Sequence, residues 1–308
     1  MAQLAAAAAA SRPTLRGLCL HGFRTNDDIM RFQTLQLQRN FEQGELVLRH
    51  INGPRSSPSP ADAGLLRLSK GPFYEWWNAV ETGGDAGEGL FGFSSNPESV
   101  HYEGLADTIR HVRHVVREEG PFDLLVGFSQ GGILATLLTA LMEKPAFMTV
   151  PPISHEGEQS TEPATQASWD APFGQGWKCV VLVGAMQPRD THFPPGFLDA
   201  DEDDAAQRGL ATPSVHVYGL ADPMATKSKE LAAWWAGGAM SATGTLEPLL
   251  GAAGSVTVVE HSGGHRFPGG RGSTAQYDAI RDAVRCACHT PAESVVNTAQ
   301  KEAVVPSL

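Results

Sequence analysis

"DLLVGFSQGGILATLL", Asp123–Leu138, runs from an apolar, β-rich segment into a leucine-rich one through a single hydroxyl set among glycines. Asp123–Gly127 reads as a buried strand. Ile133–Glu143 reads as a helix with Leu134, Leu137, Leu138 and Leu141 on one side, ending before Pro145. Between them, Gly127-Phe128-Ser129-Gln130-Gly131 fits G-x-S-x-G. In that sharp strand-to-helix turn the serine is lifted into view, and the positions two before and two after it pass so closely that only small side chains fit. The same residues would also suit a glycine-eased helix start with Ser129 as N-cap. The strand before and the helix after favour the elbow.

Outward from this stretch, short β-rich runs alternate with helical patterns, which predicts an α/β fold with a mostly parallel central sheet flanked by helices. Strands are expected at Leu15–Leu20, Leu46–Ile51, Asp123–Gly127, Cys179–Val183, Ser214–Tyr218 and Val256–Glu260. Several are almost continuously apolar, as strands covered on both faces are. Further helices are expected at Asn26–Asn40, Tyr102–Glu119 and Thr274–Ala287. Two excursions, 53–100 and 150–176, lack a core-forming period and read as long loops or lids on one domain. The domain is expected over residues 15–289, with flexible tails at 1–14 and 290–308.

A serine hydroxyl is a weak nucleophile that needs a base, itself oriented by an acid. Behind a nucleophile elbow these follow in the chain order Ser, Asp, His, each on a loop beyond a strand. "SVHVYGLADPM" (214–224) is a strand leading to Asp222, and "VTVVEHSGGHRFP" (256–268) is the next, leading to His265. His265 is favoured over His261 because Gly263-Gly264 lets its loop fold back over the sheet edge. Asp190, in "MQPRD", is the reserve acid but comes one strand early. An oxyanion needs two backbone N–H donors. Gln130, at the start of the elbow helix, supplies one. Phe23, in the His21-Gly22-Phe23 turn after Leu15–Leu20, supplies the other, with Gly22 permitting the turn and His21 anchoring it.

"LHGFRTN" (20–26), "GFSQGG" (127–132), "YGLADPM" (218–224) and "HSGGHRFP" (261–268) together resemble the FSH family of serine hydrolases, within the α/β-hydrolase superfamily, over about Leu15–Ala287. The resemblance implies a single-domain α/β-hydrolase without the extra antiparallel strands of larger members. It also implies a triad falling on Ser129, Asp222 and His265, and esterase or thioesterase action on small acyl substrates of fatty-acyl type. No cofactor is called for. Acyl transfer to an alcohol, amine or thiol is the alternative reaction, and a non-catalytic ligand-binding protein the alternative class. The segments 153–176, 199–204 and 236–254 exceed what a minimal member needs, and bear on which substrate fits. Phe73, Tyr74, Trp76, Trp77, Phe91 and Phe93 would either line an apolar acyl pocket or pack the first insertion onto the domain.

Composition narrows the field. Lysine and arginine total 23 against 34 aspartates and glutamates, a formal net charge of -11. That balance, with no basic stripe, argues against a nucleic-acid partner. No window approaches a membrane span. Of four cysteines, Cys19 and Cys179 sit in strand-like runs as buried thiols; Cys286, Cys288 and His289 lack a second ligand pair, so no metal site is expected. The pattern suits a reducing, cytoplasmic setting, with an organellar transit segment as the other reading of the alanine-rich start. Gly87, Gly89 and Gly92 match a dinucleotide fingerprint without its strand and helix, and "DEDD" (201–204) reads as a solvated acidic loop. Oligomeric state is not legible.

Overall fold

The computed structural model describes residues 14–83, 98–144, 173–191, 193, 209–237, 255–270 and 272–289. In chain order it contains β1 (Leu15–Leu20), α1 (Asp27–Arg39), β2 (Leu46–Ile51), β3 (Arg55–Ser57), a 3₁₀ turn (Ala63–Arg67), β4 (Phe73–Glu75), β5 (Asn78–Thr82) and β6 (Ser99–Glu103). Then follow α2 (Leu105–Glu119), β7 (Leu124–Phe128), α3 (Gln130–Glu143), β8 (Cys179–Val183), β9 (Ser214–Gly219), α4 (Ala225–Trp235), β10 (Val256–His261) and α5 (Thr274–His289).

β10, β9, β8, β7, β1 and β2 form one sheet in that order, every neighbouring pair parallel. This is the parallel central sheet flanked by helices expected from the sequence, and all six anticipated strands are present to within a residue or so at each end. Alternation along each strand feeds two apolar layers. Leu18 and Leu20 join α2, α3 and α4 residues such as Val112, Leu138 and Leu231 on one face. Leu15 and Cys19 join Met30 and Leu37 of α1 and Tyr277, Ile280 and Val284 of α5 on the other. The chain leaves β1 towards β2 on one side and returns to β7 on the other. The crevice outside the carboxyl ends of β1 and β7 is therefore the switch point where open α/β sheets place their sites.

The first insertion departs from the expected long loop. β3 pairs with β4 and β5 with β6, both antiparallel, and Tyr74 bridges to Thr25 beside β1. These strands are only three to five residues long and partly polar, so no period announces them. They are held instead by rings driven into the core. Trp76 and Trp77 are 0% and 1% exposed, and Trp77 stacks on Tyr102 at 4.6 Å. α3 differs as well: Gln130 through Leu141 are all buried, because the helix is wrapped by the sheet on one side and by the insertion and Trp177 on others. α4 has no counterpart among the expected helices.

Candidate active site

Ser129 joins β7 to α3 at φ 52° and ψ −118°, a conformation that side chains rarely adopt. Its side chain makes no capping hydrogen bond, which removes the N-cap reading. The turn is closed by main-chain bonds: the Ser129 N–H donates to the Val183 carbonyl at 2.9 Å, and the Gly132 N–H to the Ser129 carbonyl at 2.9 Å. Gly127 and Gly131 are small for direct steric reasons. A Cβ on Gly127 would lie 2.6 Å from Gly132 Cα, and one on Gly131 would press on the Leu20 carbonyl and sit 2.5 Å from that of His21. The elbow is thus wedged against the end of β1.

The acid and base come from the loops beyond β9 and β10. His265 Nδ1 lies 2.8 Å from Asp222 Oδ2. A carboxylate accepts only, so Nδ1 carries the proton and Nε2 is left basic. The other oxygen, Asp222 Oδ1, accepts the Met224 N–H at 2.8 Å. Burial raises the Asp222 carboxyl, but the His265 hydrogen bond and charge, the Met224 N–H and His261 together hold it below the usual carboxylate range. The His265 ring lies 5.1 Å from that of Phe128, the residue before Ser129.

The two loops approach closely because glycines allow it. A Cβ on Gly219 would meet the Gly263 and Gly264 carbonyls, and one on Gly184, at φ 57°, would lie 2.9 Å from His265 Cε1. Neither glycine was singled out from the sequence; each is explained only by a neighbour remote in the chain. His261 accepts the Gly263 N–H on its Nδ1 at 3.1 Å, shaping the His265 loop. Asp190 accepts the Tyr102 N–H at 2.6 Å and faces His101, anchoring β6 rather than meeting His265.

On the β1 side, the expected turn is present, with a different reason for its glycine. A Cβ on Gly22 would lie 2.8 Å from the Phe128 ring and 3.5 Å from Ser129 Cβ, so Gly22 brings the Phe23 loop up to the elbow. The left-handed residue here is Arg24, at φ 49°. His21 is fully buried and accepts the Gly53 N–H on Nε2 at 3.0 Å. Burial pulls its pKa down to about 4, so it is a neutral anchor and no base. Gln130 opens α3, where a first-turn N–H has no partner within the helix. Its side chain, which the sequence reading left unused, accepts the Trp76 N–H at 3.0 Å and donates to the Trp77 carbonyl at 2.9 Å.

Four of the aromatic residues read as candidate pocket lining, Phe73, Tyr74, Trp76 and Trp77, lie among the described residues. Trp76 stacks on His21 at 4.8 Å, and its indole N–H donates to the His21 carbonyl at 2.8 Å. Trp76, Trp77 and Phe73 are all buried, and the two tryptophans join the core beneath α2 and α3, which packs the insertion onto the domain. Phe91 and Phe93 lie outside the described residues, as do the glycines 87–92, the acidic run 201–204 and most of the second insertion. Among the described residues there is no group of three or more histidines, cysteines or acids placed to hold a metal, and no helix long and apolar enough to cross a membrane.

The family model described as "Serine hydrolase (FSH1)" matches residues 10–277. Human Esterase OVCA2 is 28% identical over 269 residues, spanning 84% of this chain and 92% of that protein. Esterase FUS5 of Gibberella moniliformis is 27% identical over 223 residues, spanning 71% of each. Among solved structures, Zea mays acyl-protein thioesterase 2 superimposes with a TM-score of 0.48 at 13% identity, over 89% of this chain and 96% of that one.

Proposed function

The chain belongs to the serine hydrolase (FSH1) family, and from that premise we propose that it hydrolyses carboxylic esters or thioesters through Ser129, His265 and Asp222. The observation that carries the reading is the 2.8 Å Asp222–His265 pair, its imidazole 5.1 Å from the ring of Phe128, the residue before the left-handed Ser129. In the proposed reaction His265 Nε2 takes the Ser129 hydroxyl proton as Oγ bonds to the acyl carbon. The carbonyl electron pair moves onto oxygen, where the Phe23 and Gln130 amides receive it. Collapse of this adduct expels the alcohol or thiol, which leaves with the proton from His265. Water, deprotonated by the same nitrogen, then attacks the acyl-enzyme and releases the carboxylic acid. Asp222 holds the tautomer and stabilises the imidazolium.

The substrate is proposed no more finely than a small acyl ester or thioester. A preference for fatty-acyl chains rests on the family resemblance, with Trp76, Trp77 and Phe73 buried in the insertion that packs on the domain. A fluorophosphonate probe tests the nucleophile. Wild type should label stoichiometrically, Ser129→Ala not at all, and His265→Ala at least about 10²-fold more slowly, the scale of general-base assistance. Equal labelling of Ser129→Ala would overturn the assignment, and absence of labelling in wild type would favour a non-catalytic binding protein. Rates on p-nitrophenyl esters from acetate to palmitate then read the chain length directly.

A further inference from the structure

We infer that the segment Glu75-Trp76-Trp77 is a positioning strap that sets the spacing of the two amide donors of the oxyanion hole, a role resting on the hydrolase reading above. The strap touches both sides of that hole. Towards β1, Trp76 holds the residue two before Phe23: its indole N–H donates to the His21 carbonyl at 2.8 Å and its ring stacks on the imidazole. Glu75 holds the residue just after Phe23, with Oε2 3.2 Å from Arg24 Nε. Arg24 sits in the left-handed region and lays its guanidinium over the Phe23 ring at 4.7 Å, so Phe23 is fixed from both flanks. Towards α3, the Gln130 side chain grips the same strap, accepting from the Trp76 N–H and donating to the Trp77 carbonyl. Gln130 is therefore tied to the strap by its side chain, while its own N–H, in the first turn of α3, has no partner within the helix and is the proposed oxyanion donor.

Arg24 apart, the strap and its partners are buried: His21, Glu75, Trp76, Trp77 and Gln130 lie inside the fold, and Thr108 of α2 closes the network with a hydrogen bond to the Trp76 carbonyl. Buried polar groups of this kind hold one geometry, because each displaced donor or acceptor loses its partner without gaining water. An insertion remote in sequence from both donors thus carries their relative placement. Ser129, His265 and Asp222 make no part of it. Disturbing the strap should leave the nucleophile intact and weaken stabilisation of the tetrahedral adduct alone.

Gln130→Met keeps side-chain length and the backbone N–H but loses the grip; Trp76→Phe keeps a ring against His21 but loses the indole N–H. Both are compared with wild type on a p-nitrophenyl ester, with active sites counted by fluorophosphonate so that only folded enzyme is scored. A matched pair of ketone inhibitors supplies the specific readout. Ser129 Oγ adds to a trifluoromethyl ketone, passing its proton to His265 and leaving the former carbonyl oxygen as an anion in the hole, whereas the methyl ketone binds without adding. Each variant should lose about tenfold or more in kcat per labelled site, the scale of a small misplacement. Each should lose a similar factor for the trifluoromethyl ketone, while KM and methyl-ketone inhibition stay within about twofold of wild type, as expected when only transition-state contacts are lost. Unchanged kcat per site and unchanged trifluoromethyl-ketone affinity in variants that still label would overturn the strap and leave the hydrolase reading standing. Wild type that neither labels nor binds the trifluoromethyl ketone would overturn both.

Discussion

At the scale of the residue, Ser129 is where the chain accepts strain. Among the described residues only Ser129 and Arg24 hold a positive φ without being glycine, and such conformations cost about 1–3 kcal/mol each. The surroundings over-determine the conformation. Val183 binds the Ser129 N–H, and the neighbouring glycines leave no room for the backbone to relax. A glycine at 129 would occupy the same φ and ψ without that penalty. Ser129→Gly should therefore be more stable than Ser129→Ala by about 1 kcal/mol or more, after allowing for glycine's larger loss of chain entropy. Both should be inactive. Urea unfolding of the two variants reads the difference, and equal midpoints would mean that the elbow is not strained.

At the scale of the element, α1 shows how a secondary structure here is fastened to the site. Asn26 caps it, its Oδ1 accepting the Ile29 N–H at 3.0 Å, while Nδ2 donates to Ser69 Oγ at 2.9 Å and the Pro72 carbonyl at 3.0 Å. One buried amide thus joins the helix start to the first insertion, two residues beyond Arg24. Asn26→Ala should cost about 2 kcal/mol, roughly half from the lost cap and the rest from stranded partners. Asn26→Ser should recover about the capping half. Equal unfolding midpoints for wild type and Asn26→Ala would show that the insertion is not docked through this residue.

The same elements show what the sequence carries. The central strands β7 and β8 were legible as continuous apolar runs covered on both faces, the edge strands β2 and β10 as β-rich runs with one face exposed, and α2 because its buried positions recur at helical spacing. α4 was not: its buried residues include Ser228, its apolar ones crowd towards Trp235, and Met224 provides no side-chain cap. β3 to β6 escaped because their stabilisation lies in Trp76, Trp77 and Gln130 rather than in their own alternation. Asp222 and His265 could be named from their strands and loops. Gly184, Gly219 and the Gln130 side chain could not, because each serves a partner 38 to 81 residues away that only the fold brings near.

At the scale of the whole molecule, the buried histidines make stability depend on pH above the range where carboxylates titrate. His21, His50 and His216 lie in separate parts of the core and are each 3% exposed or less. Burial draws their pKa values down to about 4, about 4 and about 3. An unfolded histidine titrates near 6.5, so below that value the unfolded chain takes up protons that the folded chain refuses. Their contribution is therefore complete above about pH 6.5 and is lost as pH falls towards 4. Each histidine adds a slope of up to about 1.4 kcal/mol per pH unit, or roughly 4 kcal/mol per unit for the three together near pH 5. Against a typical stability of about 5–15 kcal/mol, one or two pH units suffice to unfold the domain. Asp222, held below the usual carboxylate range by His265 and its other partners, adds a loss of the same sign only at lower pH. Urea midpoints measured from pH 7.5 to 4.5 at fixed ionic strength should fall steeply below pH 6, with an uptake of nearly three protons on unfolding near pH 5. Replacing His216, whose ring meets Trp235 edge-on inside the core, by phenylalanine should reduce that uptake by one. A flat profile between pH 7 and 5 would mean that these imidazoles are protonated in the fold, which their burial does not allow without counter-charges.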